Sequence, residues 1–417
     1  MDSILVNGGT PLCGAVKIQG SKNAALPIMA ASLLTKDCNF LENCPRITDV
    51  YRMIEILESI GCKAIWKEDG LYLDSSGVYS GAIPDGYSEG MRSSIFLLGA
   101  LLGAVGEVSM SGIGGCVIGN RKIDYHVMGL TRMGATISYQ EDRIQATAAM
   151  LCGTAIQLPG PSVGATENLV LAAVLAKGET LIQGAAAEPE IVALCQYLSR
   201  CGARITGAGS DCIRVEGVKA LRGVRYTIPP DRIVAGTYLF ATIATGGNVF
   251  LQKAPWRELY EPLAVAERMG AVWNCCEEGI YIQGPERPKA VGELITGVYP
   301  RFPTDLQSAA LVASCVATGQ TIIREKIFEN RFRIVPQLRK LGANIRDIDE
   351  ESVEIQGIEQ LQGAEVEAME LRGGAALVLA GLCAKGSTLV QHTAFLYRGY
   401  ENICRDLRDL GARVASV

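Results

Sequence analysis

Cys116 lies in Gly112-Ile113-Gly114-Gly115-Cys116-Val117-Ile118-Gly119, a stretch too rich in glycine for a helix or strand interior and shaped like a mobile lid. A single cysteine is usually a small buried hydrophobe. Here Arg121 and Lys122 follow closely, and neighbouring cations favour the thiolate, so the sequence points to a reactive thiol. A second set of chemically capable residues recurs about every 70 positions: Lys22, Arg92, Ser162-Val163-Gly164, Asp231-Arg232, Asp305 and Arg372. Between them stand the loop from Gly114 to Arg121, Glu188-Pro189-Glu190, Arg257, Asn330-Arg331 and Arg398. Each position falls where a helix is expected to begin, and helix starts present free N–H groups and a partial positive charge. An ordinary N-cap or a solvated arginine accounts for any one of them. The recurring set points instead to a site for a multiply charged anion.

The elements that must carry these residues are repeated six times. The markers are Ile60-Gly61-Cys62, Met133-Gly134-Ala135, Cys201-Gly202-Ala203, Met269-Gly270-Ala271, Leu341-Gly342-Ala343 and Leu410-Gly411-Ala412. An amphipathic helix precedes each marker, as in Leu259, Leu263, Ala266 and Met269, and the glycine suits a left-handed helix end. A strand pair follows, and an earlier helix of small apolar residues, such as 24–34 or 375–384, opens the unit. Each unit therefore reads helix, strand, helix, two strands. The apolar first helices must pack inward and leave sheets outside, in an α/β fold of two domains with three repeats of about 70 residues each.

The sixth unit stops after its first closing strand. Ile4-Leu5-Val6-Asn7-Gly8 resembles Ile280-Tyr281-Ile282-Gln283-Gly284 of the fourth unit, so the N-terminal segment is expected to complete the sixth. The expected domains are 22–229, and 1–21 with 230–417. If their helix starts face each other, the cationic positions line one cleft.

Composition narrows the function. At 417 residues and 48% hydrophobic content the chain can bury two cores, and its net charge of −5 lacks the basic field of a nucleic-acid binder. Fourteen cysteines without a C-x-x-C pair suit a reducing cytoplasm. With only His126 and His392 there is little to build a histidine metal site. Apolar runs stay short of the ~18 residues of a membrane span, and Met1-Asp2-Ser3 opens no export signal. No metal, cofactor, nucleic acid or membrane is called for, and a monomer is expected.

Seven motifs give the chain a strong resemblance, along its whole length, to the UDP-N-acetylglucosamine enolpyruvyl transferases. They are Gly20-Ser21-Lys22-Asn23-Ala24-Ala25-Leu26-Pro27, Gly114-Gly115-Cys116-Val117-Ile118-Gly119-Asn120-Arg121, Ser162-Val163-Gly164-Ala165-Thr166, Glu188-Pro189-Glu190-Ile191, Pro303-Thr304-Asp305, Phe328-Glu329-Asn330-Arg331-Phe332 and Arg398-Gly399-Tyr400-Glu401. The resemblance implies a two-domain inside-out α/β barrel, or α/β prism, which matches the repeat reading, and transfer of the enolpyruvyl unit of phosphoenolpyruvate to the sugar 3-hydroxyl, the first committed step of peptidoglycan synthesis. It also implies that Cys116 is the general acid and adduct-forming residue, and Asp305 the base. Lys22, Asn23, Arg92, Arg121, Arg331, Arg372 and Arg398 match positions that bind phosphate and carboxylate or order the site. Asp124, Ser162, Val163, Gly164, Asp305 and Ile327 match the nucleotide-sugar side.

The chain departs from the family pattern at Lys122, Tyr125, Ala187, Val234 and Tyr397. These changes bear on lid stiffness, nucleotide affinity and local charge, and they leave Cys116 and Asp305 in place. The rival readings are the sister enzyme acting on shikimate 3-phosphate, whose family lacks the cysteine loop, a regulatory paralogue that binds UDP-sugar without turnover, and a plain repeat scaffold.

Overall fold

The computed structural model describes residues 3–88, 91–111, 123–140 and 143–417. Two compact units divide them, one containing residues 3–19 and 230–417, the other drawn from residues 20–229. Each has its own continuous hydrophobic core.

Three helices form the centre of each core: Lys22–Ser32, Phe96–Ala104 and Val163–Ala173 in one, Arg232–Thr245, Gln307–Cys315 and Leu371–Cys383 in the other. Alanine and leucine favour helix, and the absence of a polar stripe obliges nearly every residue to be buried. Several of their starts are held by side chains. Ser21 accepts from Ala24 N, Ser162 from Ala165 N, and Asp231 from the N–H groups of Ile233 and Val234. Where the second and third helices of the 20–229 unit cross, a Cβ on Gly99 would lie 2.3 Å from the Asn168 carbonyl oxygen. The missing side chain lets Gly99 N–H donate to Asn168 Oδ1 at 2.7 Å.

The second helix of each repeat is half-buried, as expected of an amphipathic element: Thr48–Ser59, Asp124–Arg132, Pro189–Cys201, Tyr260–Arg268, Val335–Lys340 and Ile403–Asp409. The six marker glycines that follow have φ between 82° and 110°, a region from which a Cβ is normally excluded.

Outside the helices lie sheets with one buried and one exposed face. In one, Cys38–Glu42, Gly70–Asp74 and Lys63–Lys67 pair antiparallel, as alternation in the sequence implies. A strand the repeat pattern did not contain adds to them: Arg225–Thr227, from the end of the third repeat, pairs in parallel with Cys38–Glu42. The same exchange joins Ala155–Gln157 to Glu179–Gln183, Gly292–Ile295 to Gln320–Arg324, Glu365–Glu367 to Ser387–Gln391, and Cys13–Lys17 to Asn248–Gln252. Most of these added strands are three or four residues long, too short for alternation to register. Ser3–Asn7 takes the central place in the last sheet, antiparallel to both Ser387–Gln391 and Arg413–Ser416, with Ile4 and Val6 wholly buried.

Candidate active site

The repeat places helix starts of different repeats near one another, and in each unit a cluster of the chemically capable residues forms there. In the unit containing residues 230–417, Asp305 sits on the short turn Thr304–Leu306 that leads into Gln307–Cys315. Its carboxylate is gripped from two sides. Arg331 Nη2 reaches Oδ1 at 2.5 Å and Arg372 Nη2 reaches Oδ2 at 3.3 Å. Both guanidinium groups are almost wholly buried, whereas the Asp305 side chain keeps 26% of its surface. A carboxylate open to solvent on one side and backed by two cations can accept a hydrogen bond from a ligand.

Burial by itself disfavours the Arg372 cation. The negative charges of Asp305 and Asp231, with Tyr400, outweigh that cost and raise its pKa above the usual arginine value. The guanidinium also lies 5.9 Å from the centre of the Tyr400 ring. Glu370 accepts from the backbone N–H groups of Arg372 and Gly373, and its carboxylate stands 3.6 Å from Arg331 Nη1. Arg398 ends the short helix Thr393–Arg398, two residues before Tyr400, and Ile327 lies four residues before Arg331. The structure thus groups Asp305, Arg331 and Arg372 through direct contacts, with Ile327 and Arg398 on adjoining segments.

In the 20–229 unit, Lys22 opens its helix with Nζ 2.7 Å from the buried Asp49 carboxylate, and half-buried Asn23 follows. Arg92 begins the turn Arg92–Ile95, and Asp124 begins Asp124–Arg132. His126, in the first turn of that helix, shows how these starts converge. Burial and, to a smaller extent, the Arg92 charge push its pKa down to about 4 against the opposing charge of Asp124. Its ring also approaches Gly164, where a Cβ would lie 3.2 Å from Cε1, so Ser162, Val163 and Gly164 belong to the same neighbourhood. Asn168 Nδ2 lies 2.8 Å from His126 Nδ1, while Asn168 Oδ1 is occupied by Gly99 N–H. The amide therefore donates, and His126 carries its proton on Nε2. Nearby, burial and the charges of Glu190 and Glu188 hold the Glu167 carboxyl well above its ordinary pKa.

Cys116 and Arg121, with Lys122, lie outside the described residues. Among the described residues no group of His, Cys, Asp or Glu is placed to hold a metal ion, and no helix is long and apolar enough to cross a membrane. Sequence reasoning missed Asp49, Glu370, Thr304 and Glu325 as supports of the site. Thr304 stands inside a quoted motif beside Asp305, but for a buried glutamate or an aspartate on a second helix the linear pattern carries no sign of which cation it will meet.

A fold of buried helices inside sheets, with guanidinium-backed carboxylate chemistry at the helix starts, defines a class. The chain belongs to the EPSP synthase (3-phosphoshikimate 1-carboxyvinyltransferase) family, whose model matches residues 6–407. It is 43% identical, over the full length of both chains, to UDP-N-acetylglucosamine 1-carboxyvinyltransferase 2 of Caldanaerobacter subterraneus subsp. tengcongensis. It is 40% identical to UDP-N-acetylglucosamine 1-carboxyvinyltransferase of Solidesulfovibrio magneticus, with 99% of each chain covered. Among solved structures, the enolpyruvyl transferase NikO from Streptomyces tendae shares the fold with a TM-score of 0.89 at 24% identity, over 99% of this chain and 98% of that one. EPSP synthase from Acinetobacter baumannii shares it with a TM-score of 0.77 at 17% identity over the whole of both chains.

Proposed function

We propose that the protein transfers the enolpyruvyl group of phosphoenolpyruvate to the 3-hydroxyl of UDP-N-acetylglucosamine and releases phosphate, the first committed step of peptidoglycan synthesis. The observation that carries this reading is the Asp305 carboxylate, accessible on one side and fixed by Arg331 and Arg372 on the other, in a chain 43% identical end to end to a UDP-N-acetylglucosamine 1-carboxyvinyltransferase.

The reaction needs a proton on the methylene carbon of phosphoenolpyruvate, removal of a proton from the attacking hydroxyl, and charge stabilisation around phosphate and carboxylate. Cys116 supplies the first as general acid. Asp305 accepts the second. The two-point geometry of guanidinium suits Arg331, Arg372, Arg398, Arg92 and Arg121 to the anionic groups, with Lys22 and Asn23 beside them. Asp124, Ser162, Val163, Gly164 and Ile327 hold the nucleotide sugar, Ser162 to Gly164 through a helix start suited to phosphate. No cofactor enters this scheme. We place the protein in the cytoplasm as a monomer acting on these two small molecules; fourteen cysteines without a C-x-x-C pair, in a chain too large to need disulfide staples, support a reducing compartment.

The test is phosphate release from phosphoenolpyruvate with each acceptor in turn. Release with UDP-N-acetylglucosamine and none with shikimate 3-phosphate is expected. Release with shikimate 3-phosphate alone would establish the sister activity, and release with neither would leave a UDP-sugar-binding paralogue.

A further inference from the structure

We infer that Glu325 is a positioning residue for Asp305, acting through Thr304 and Arg331; the inference rests on the transferase reading above. Glu325 directly follows the strand Gln320–Arg324 and is 2% exposed. Its carboxylate is divided between two segments. Oε1 accepts from the N–H groups of Ile327 at 2.8 Å and Phe328 at 3.1 Å, fixing the segment that runs on to Arg331. Oε2 accepts from the Thr304 hydroxyl at 3.0 Å, fixing the residue before Asp305.

Thr304 Oγ1 in turn accepts from Arg331 Nε at 3.1 Å, and Arg331 Nη2 reaches Asp305 Oδ1. The direction of each bond follows from the chemistry. A guanidinium can only donate, so the threonine oxygen must accept from Arg331 and spend its single proton on Glu325. The accepting carboxylate oxygen of Glu325 is the partner that completes this polarity. The chain Glu325, Thr304, Arg331, Asp305 therefore has one proton arrangement, and it fixes the Arg331 fork against the carboxylate that receives the sugar proton. An amide at position 325 retains an oxygen for Ile327 and Phe328. Turned that way, it offers Thr304 an N–H instead of an acceptor, and the hydroxyl loses its partner.

The experiment compares Glu325→Gln, Thr304→Val, Thr304→Ser and the double variant Glu325→Gln/Thr304→Val by steady-state phosphate release, with thermal melting as a check on folding. The valine preserves threonine's shape without the hydroxyl, so it carries the test if the glutamine variant does not fold. Expected is a fall in kcat of about 10- to 100-fold for Glu325→Gln and for Thr304→Val, the scale of a misplaced catalytic group. KM for both substrates should change by less than about threefold, because uniform binding is untouched. Thr304→Ser should restore turnover lost in Thr304→Val, and the double variant should be no slower than the worse single one. Undiminished kcat in both single variants, multiplicative losses, or loss in proportion to melting temperature without rescue by serine would overturn the proposal while an active wild type keeps the transferase reading. A wild type that releases no phosphate overturns that reading and this one with it.

Discussion

At the residue scale the decisive choice is what surrounds each ionisable group. Asp305 is held by two buried cations, and removing it would leave Arg331 and Arg372 as charges without their main partner. Asp305→Ala is expected to lower turnover by about 100-fold or more, the scale of a lost general base, with a smaller effect on UDP-sugar affinity measured by calorimetry; the reverse ranking would make Asp305 a binding residue only. His126 offers a measure of stability instead. Its folded pKa of about 4 lies below the unfolded histidine value, so the unfolded chain binds more protons between the two. Stability contributed by the neutral ring is present above pH 6.5 and lost as pH falls toward 4, a difference on the order of 3 kcal/mol. Protonating Nδ1 also breaks the bond from Asn168. Urea unfolding of His126→Gln should show a shallower loss over that window than the wild type, and equal slopes would refute this assignment. The types and spacing of Asp305, Arg331 and Arg372 were legible in the sequence. The glutamates at 325 and 370 were not, because their partners are chosen by folding and lie 21 and 39 residues from them or are backbone groups that carry no sequence identity.

Among elements, the repeat was readable because the glycine after each second helix has to adopt a left-handed conformation, which leaves a regular mark in the sequence. The apolar first helices were readable for a related reason, since a helix without a polar stripe has only the core to occupy. Helix boundaries shifted: the helix expected over 24–34 runs Lys22–Ser32 and tightens into Leu33–Thr35, and the one expected from 375 begins at Leu371. Caps set those limits, and a cap is a local hydrogen bond, not a hydrophobic period. The exchanged strands were missed because three residues such as Arg225–Thr227 cannot display alternation. The close crossing at Gly99 gives this scale its prediction. Gly99→Ala should destabilise the 20–229 unit by roughly 1–3 kcal/mol as the helices separate, measured by urea unfolding, and an unchanged midpoint would mean that the Asn168 backbone yields freely.

For the molecule as a whole, two units each repeat one plan three times, and the N-terminal strand is built into the unit whose other residues come from the far end of the chain. Ser3–Asn7 is a central strand with two hydrogen-bonded neighbours, not an edge. Deleting residues 1–7 should therefore cost more than about 4 kcal/mol in the 230–417 unit, beyond what ordinary point changes do, seen as an early separate transition in denaturant; a wild-type unfolding curve would contradict this topology. The central claim is chemical, and product analysis tests it most directly. Wild-type protein incubated with phosphoenolpyruvate and UDP-N-acetylglucosamine should give, by NMR, an enol ether on the sugar 3-oxygen and phosphate in equal amount. Enol ether formed only when shikimate 3-phosphate replaces the nucleotide sugar, or none with either, would contradict the account.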